Sequence, residues 1–353
     1  MADNKENKVL NVPALRFPEF TEEWNYESLD TIAPNITSGR SKPSLGEYNL
    51  YGSTGIIGKT ATADYSGDML LVARVGANAG SLQLVNDSCG ITDNTLIIKP
   101  CKLSSHYLYF YLQHYNLNRL VFGSGQPLIT AGMLKKVRIP FGNQLEQKKI
   151  ENFLCCIDER ITTQNKIIEK LETLIKGIVE LAFSHAATSN TLGCYITQIS
   201  QRNKTGKDLP VLSVSNKHGF VEQSEQFEDR IIASDDTSNY KIVDINDFAY
   251  NPARINVGSI ARLKDKECGI VSPMYICFRT SKDILPEYLE LFFKTVTFSF
   301  EVGKRLEGSV RLCLSYESLC EIVIPIISIR EQQSLVKMVT TFHSKLDVEK
   351  GVV

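Results

Sequence analysis

Val137-Arg-Ile-Pro-Phe-Gly-Asn-Gln-Leu-Glu146-Gln147 returns 185 residues later as Ile322-Val-Ile-Pro-Ile-Ile-Ser-Ile-Arg-Glu331-Gln332. Each copy is a short β-type run ending in Ile-Pro, followed six residues on by a Glu-Gln pair. At the same offset Ile150 falls on Leu335, Leu154 on Val339, Ile157 on Phe342 and Ile161 on Leu346, which is one helical apolar face used twice. Upstream, Tyr107-Leu108 matches Tyr288-Leu289, and Cys89-Gly90-Ile91 matches Cys268-Gly269-Ile270. Arg74 falls on Arg254 and Gly80-Ser81 on Gly258-Ser259, the offset drifting to about 180 as loops absorb insertions. Leu29-Asp-Thr-Ile32 aligns only weakly with Leu192-Gly-Cys-Tyr-Ile196. Solenoid units run about 20 to 50 residues, so a period this long means a duplicated domain with its trailing helix.

The expected fold class is α/β (α+β): two similar mixed α/β domains, pseudo-twofold, separated by long antiparallel coiled-coil helices of which the second is short. The expected boundaries are a tail at 1–16, a first recognition domain at 17–143, a central helix at 144–184, a second domain at 185–327 and a short helix at 328–353. The central segment has no proline and a single Gly177. Its apolar positions Ile157, Ile161, Ile168, Leu171, Ile175 and Ile178 keep alternating four-three spacing, with Gln164 in the gap, which is a coiled-coil seam. Some 40 helical residues make a rod of roughly 60 Å. The second helix is about half as long, so the early part of the first lacks a cover in the chain. Another subunit is expected over Leu145, Phe153, Ile157 and Ile161, with Ile168, Leu171, Ile175 and Ile178 continuing the same interface stripe.

A chain of 353 residues, 43% hydrophobic and 22% charged, is long enough for two or three domains. Its longest apolar stretches, such as Ile322 to Ile327, fall far short of the roughly 20 residues of a membrane span, and Met1 to Lys8 is polar. A cytoplasmic protein with reduced thiols is expected. The nine cysteines form no CxxC pair, and the five histidines are scattered, which argues against zinc. A net charge of −1 does not announce a nucleic-acid binder, and composition alone would suit a cytosolic enzyme.

Enzymatic motifs fail one by one. Gly52-Ser-Thr-Gly-Ile-Ile-Gly58-Lys59-Thr60 has five residues between its glycines where a phosphate-binding loop has four. Asn251-Pro252-Ala253-Arg254 lacks the second proline and the aromatic of an adenine-methyltransferase element, and no GxSxG or HExxH occurs. No catalytic or metal-binding residue is assigned, and no cofactor is expected in this chain.

Several pieces, in order, resemble the specificity subunit of type I restriction-modification enzymes over nearly the whole chain. They are Leu15-Arg-Phe-Pro-Glu-Phe20 with Trp24, Tyr51-Gly-Ser-Thr-Gly-Ile-Ile-Gly58, Gln126-Pro-Leu-Ile129, the two Ile-Pro elements leading into Glu-Gln helices, and Leu209-Pro-Val-Leu-Ser-Val-Ser215. The resemblance implies two target-recognition domains, each reading half of a split double-stranded DNA site through the major groove, with helices setting the unread gap. It also implies two methylation subunits carrying S-adenosylmethionine and two restriction subunits carrying ATP and magnesium. Two departures stand out: the C-terminal helical region ends early, and Ser309-Val-Arg311 replaces Gln126-Pro127 in the second half. The first departure marks either a half-disabled gene product or a chain that borrows helix surface from a second copy.

Base reading uses forked groups on exposed loops, Arg toward guanine and Asn or Gln toward adenine, while Lys and small polar groups hold phosphates. The candidates are Ser53, Lys59, Arg74, Asn78 and Gln126 in the first half. In the second they are Asn216, Lys217, Arg254, Asn256, Arg262 and Arg311. For each, a solvated loop or a structural hydrogen bond is the plain alternative. The competing function is a coiled-coil adaptor whose duplicated domains bind protein or carbohydrate.

Overall fold

The computed structural model describes residues 12–123, 127–184, 188–223, 237–308 and 311–351, which fall into two units, Met1–Thr162 and Thr163–Val353. The first unit opens with β1 (Asn25–Ser28), antiparallel to β9 (Arg138–Phe141), and with α1 (Leu29–Ile32) capped by Ser28. Its larger sheet has the order β2 (Thr37–Ser38), β8 (Thr95–Ile98), β5 (Asp68–Ala73), β6 (Leu82–Asn86). A smaller sheet sets β3 (Tyr48–Gly52) between antiparallel β4 (Gly55–Thr60) and parallel β7 (Cys89–Ile91).

Strand β5 shows why its apolar run is unbroken. Leu70 and Val72 face a core completed by α2 (Ser105–Tyr115) and α3 (Ala131–Lys135), while Met69 and Leu71 join Val85, Cys89, Ile91 and Ile97 in a second core. Side chains alternate along a strand, so a strand buried on both faces reads as continuous hydrophobicity.

The second unit repeats this plan. Strands β11 (Ile196–Ile199), β18 (Ile276–Thr280), β15 (Phe248–Tyr250) and β16 (Ile260–Arg262) take the order of β2-β8-β5-β6. In its other sheet β12 (Val211–Ser215) lies between antiparallel β13 (Gly219–Glu222) and parallel β17 (Cys268–Val271), with one added edge strand, β14 (Lys241–Asp244). The ribbon of β1 and β9 returns as β10 (Thr188–Thr191) and β19 (Val323–Ile326), and α5 (Pro286–Phe292), α6 (Val296–Arg305) and α7 (Tyr316–Cys320) supply the helical layer.

The repeated sequence pieces are the hydrogen-bonded frame of each unit. The Tyr107 hydroxyl donates to the Pro140 carbonyl at 2.9 Å, and the Tyr288 hydroxyl to that of Pro325 at 2.8 Å. Burial pushes both phenols above their usual range, so they stay donors. Leu29 N–H meets Val137 O at 2.7 Å and Leu192 N–H meets Ile322 O at 2.8 Å, which makes the weakest sequence match a structural one. Cys-Gly-Ile recurs because a Cβ on Gly90 or Gly269 would lie 3.1 Å or 2.4 Å from Cδ1 of Leu50 or Leu212.

One equivalence is corrected. Val72 lies opposite Leu82 and Tyr250 opposite Ile260, while Ala73 N–H bonds Ser81 O as Asn251 N–H bonds Ser259 O. Arg74 therefore corresponds to Pro252, and Arg254 sits two residues further along its loop. The two loops have equal length, so matching arginine to arginine would require an insertion that the ladder does not contain.

Helix α4 (Gln144–Ser184) continues for 41 residues and α8 (Ile329–Lys350) for 22. In the second unit Ile175, Val179 and Phe183 of α4 share a core with Leu335, Val339 and Leu346 of α8, and Ile168, Leu171 and Ile178 pack against it. The α8 end lies at Gln164, whose amide donates to Glu349 O at 2.8 Å, and Lys350 pairs with Glu172 at 2.7 Å. Ile175 is thus buried within the chain, and Ile168, Leu171 and Ile178 are partly covered against the same core. Leu145, Phe153, Ile157 and Ile161 remain 76%, 55%, 40% and 53% exposed.

Candidate nucleic-acid interface

In the second unit the turn between β12 and β13 carries Asn216, Lys217 and His218 into solvent. The Ser215 hydroxyl accepts the N–H groups of Lys217 and His218 at 3.3 and 3.4 Å, and Gly219 at φ 69° closes the turn. This tip lines a cleft of about 540 Å³ together with Arg262, Lys264, Lys266, Lys294 and Glu290. The cleft brings together the candidates Asn216, Lys217 and Arg262. His218, Lys264, Lys266 and Lys294 were missed. Their signal in the sequence was Lys264-Asp-Lys266, two cations on alternate positions just past a strand.

Arg262 is braced within the cleft by acids. Its guanidinium is held by Glu287 at 2.8 Å, Glu290 at 3.1 Å and the Asn246 amide oxygen at 2.5 Å. Burial pushes the Glu290 carboxyl up, but Lys294, Lys264 and Arg262 outweigh it and hold the group ionised below its usual range. Arg254 heads a 3-10 turn, Ile255–Val257, with Asn256 exposed on it. That turn ends at Gly258, whose added Cβ would lie 3.8 Å from the Asn216 Cβ, so it abuts the hairpin tip. Arg311 is exposed on a segment that reaches the same loop through Leu314 N–H and Pro252 O at 3.1 Å.

The first unit assembles a smaller set. Ser53, at the β3–β4 turn, donates to Asn94 O at 3.2 Å, and Arg74 N–H meets the same carbonyl at 2.9 Å. Asn78 is exposed in the turn framed by Gly76 (φ 81°) and Gly80 (φ 90°). Lys59 stands apart: its ammonium reaches Asn49 Oδ1 at 2.9 Å and Glu47 O at 3.1 Å, at the far end of β4. Six residues of strand put it roughly 20 Å from Ser53. Gln126 lies outside the described residues. The stretch that approaches a phosphate-loop spacing, Gly52 to Thr60, is a β-hairpin with no helix behind it.

The arm before β1 clamps the start of α4. Arg16 makes a two-toothed pair with Glu146 at 2.6 and 2.7 Å, Lys149 pairs with Glu19, and Phe17 meets Phe153 edge-on at 6.1 Å. Arg16 holds the Glu146 carboxyl below the usual carboxylate range. This arm is the physical content of Leu15 to Phe20. Among the described residues no helix is long and apolar enough to cross a membrane, and no group of three or more His, Cys, Asp or Glu could hold a metal.

Residues 9–173 match the family described as Methylase_S, type I restriction modification DNA specificity domain. No curated protein sequence matches the chain. Among solved structures, the type I restriction-modification system S subunit from M. genitalium is similar at 19% identity and a TM-score of 0.63, covering 93% of this chain and 91% of that one. The HsdS subunit from Thermoanaerobacter tengcongensis has 15% identity and a TM-score of 0.45 over 93% and 91% of the two chains. A structure described as underlying complex assembly and conformational transition of the type I R-M system has 14% identity and a TM-score of 0.49 over 96% and 94%. Of the three, the first supports a shared fold along almost the whole chain. The family model thus matches residues 9–173, and the fold is shared with the M. genitalium S subunit along almost the whole chain.

Proposed function

We propose that this chain is the non-catalytic DNA-recognition subunit of a type I restriction-modification system, residues 17–143 and 185–327 each reading one half of a split site. The carrying observation is that both units keep one hydrogen-bonded frame and one strand order while differing at the hairpin tips and adjoining loops. A constant scaffold with variable loops suits two readers of unlike sequences. The helices at 144–184 and 328–353 set the gap between half-sites. Two methylation subunits carrying S-adenosylmethionine and two restriction subunits carrying ATP and magnesium act from this cytoplasmic platform. Leu145, Phe153, Ile157 and Ile161 form the surface such a partner, or a second copy, covers.

In this reading Asn216, Arg254, Asn256 and Arg311 face base edges or backbone of one half-site, and Lys217, Lys264, Lys266 and Lys294 hold phosphates. About four phosphate contacts in that cleft give a salt slope near −3.6, roughly a hundredfold loss of affinity between 50 and 200 mM salt. The test is a gel-shift salt series on the protein purified with co-expressed methylation subunits, beside mapping of methylated adenines in cells with and without the gene. A split motif that depends on the gene supports the reading. Salt-independent or absent DNA binding overturns it in favour of a protein- or carbohydrate-binding adaptor.

A further inference from the structure

Arg74 is half-buried, and its Nε is shielded from solvent with no hydrogen-bond partner among the described residues. Other arginines with little exposure are matched to acids: Arg16 to Glu146, and Arg262 to Glu287 and Glu290. An arginine Nε kept from water without an acceptor among the described residues is costly and calls for an explanation, because native chains satisfy nearly all such groups.

The backbone beneath Arg74 is pinned on both sides. Its N–H donates to Asn94 O at 2.9 Å, its carbonyl accepts from Ile129 N–H at 2.9 Å, and Gly76 N–H meets Pro127 O at 2.9 Å. Ser53 Oγ shares the Asn94 carbonyl, so the β3–β4 tip stands beside the arginine. A rigid strand end, a forked donor whose Nε has no acceptor among the described residues and a flanking hydroxyl suit a bidentate base contact.

We propose that Arg74 reads a guanine in the half-site of the first unit, its guanidinium donating to O6 and N7 in the major groove, and that the second unit has no equivalent contact. The inference rests on the DNA-recognition reading above. Its asymmetry comes from the ladder register: Pro252 occupies the Arg74 position in the second unit and carries no donor, while Arg254 begins two residues later on an exposed turn. The two half-sites are therefore read by different chemistry on one scaffold.

The test starts from the motif found by methylated-adenine mapping and uses the protein with its methylation subunits. Duplexes carry 7-deazaguanine, which lacks the N7 acceptor, one guanine at a time. The expected result is one position, in one half-site only, where the analogue costs wild type about tenfold or more and costs Arg74→Ala and Arg74→Lys nothing further. Arg74→Lys keeps the charge but not the fork, so it retains the salt slope and loses the guanine preference. A slope smaller by about one in Arg74→Ala, with no guanine position affected, assigns the residue to a phosphate and overturns the proposal. Unchanged binding by both variants overturns it as well, and makes Arg74 structural. If wild type itself binds DNA without salt dependence, the parent reading fails first, and that result is distinct from the other two.

Discussion

The two glutamines of the repeated Glu-Gln pair make unequal contacts, and the difference can be measured. Gln332 is fully buried: its amide oxygen accepts Leu285 N–H at 2.9 Å, just before the proline that starts α5, and its amide nitrogen donates to Ile327 O at 2.9 Å. Gln147 shows the second bond alone, to Gly142 O at 2.9 Å. Replacing Gln332 by leucine, of similar volume, strands one buried donor and one buried acceptor at about 1–3 kcal/mol each. Part of that is regained because the glutamine amide no longer needs desolvation, so the net cost is about 2–4 kcal/mol. Gln147→Leu strands one carbonyl, the group more easily left under-satisfied, and costs about 1 kcal/mol. Urea unfolding followed by far-UV circular dichroism reads both units. The single tryptophan, Trp24, reports on the first. With a urea slope of roughly 2 kcal/mol/M, Gln332→Leu lowers its midpoint by about 1–2 M and Gln147→Leu by about 0.5 M, the latter visible in Trp24 emission. Equal costs for the two variants would refute the claim that the bond Gln332 accepts from Leu285 accounts for the difference.

Three further outcomes follow from the same geometry. Arg16 depresses the Glu146 carboxyl, so the stabilisation from that pair is present above the unfolded carboxylate value near 4.3 and is lost as pH falls through the lower folded value. An acid titration of Trp24 emission shows the arm releasing in that window, and Glu146→Gln lacks the step; an identical titration in both proteins would contradict it. Ile157→Asp with Ile161→Asp changes the unfolding free energy by no more than about 0.5 kcal/mol, because both side chains are exposed, yet abolishes co-purification with methylation subunits. Ile175→Asp, buried in the core that α4 and α8 share in the second unit, costs several times more. Gly90→Ala brings a methyl within 2.7 Å of Thr60 Cγ2 and 2.9 Å of Ser41 Cβ, and lowers stability by about 1–3 kcal/mol in a thermal melt.

The frame was legible because its residues do the same work twice. Tyr107 and Tyr288, Pro140 and Pro325, and Gln147 and Gln332 each complete one backbone contact that tolerates few substitutes, so identity survived where the loops diverged. The interrupted apolar seam of α4 likewise followed from helical geometry alone. The split of that seam did not: Ile161 and Ile168 look alike in sequence, but one is exposed and the other packs on the core of the second unit, because coverage depends on where α8 ends. Arg262 looked like any loop arginine, since its acids, Glu287 and Glu290, come from α5 more than 20 residues later. The match of Arg74 with Arg254 failed for a related reason. Identity in a loop carries no register, and only the β5–β6 and β15–β16 ladders supply it.

The net charge of −1 speaks against nucleic acid, but in the structure that sum averages over acids and cations that pair locally. Many of the acids are committed to structural cations: Glu146 to Arg16, Glu287 and Glu290 to Arg262, and Asp244 and Asp247 to Arg279. Each such set cancels over a few ångströms, and beyond about 8 Å physiological salt screens what remains. A duplex resting on the hairpin tips therefore meets the local cations Lys217, Arg254 and Arg311, which are exposed, and not the average over the chain. Whole-chain charge governs solubility and long-range encounter, while contact depends on charge within one screening length. By this logic, neutralising exposed acids remote from the tips raises the pI of the protein and leaves the salt slope of DNA binding unchanged, whereas Lys217→Ala with Arg254→Ala lowers that slope by about 2. A slope that tracked net charge regardless of position would show that binding is a diffuse attraction, and the loops would lose their claim to read sequence.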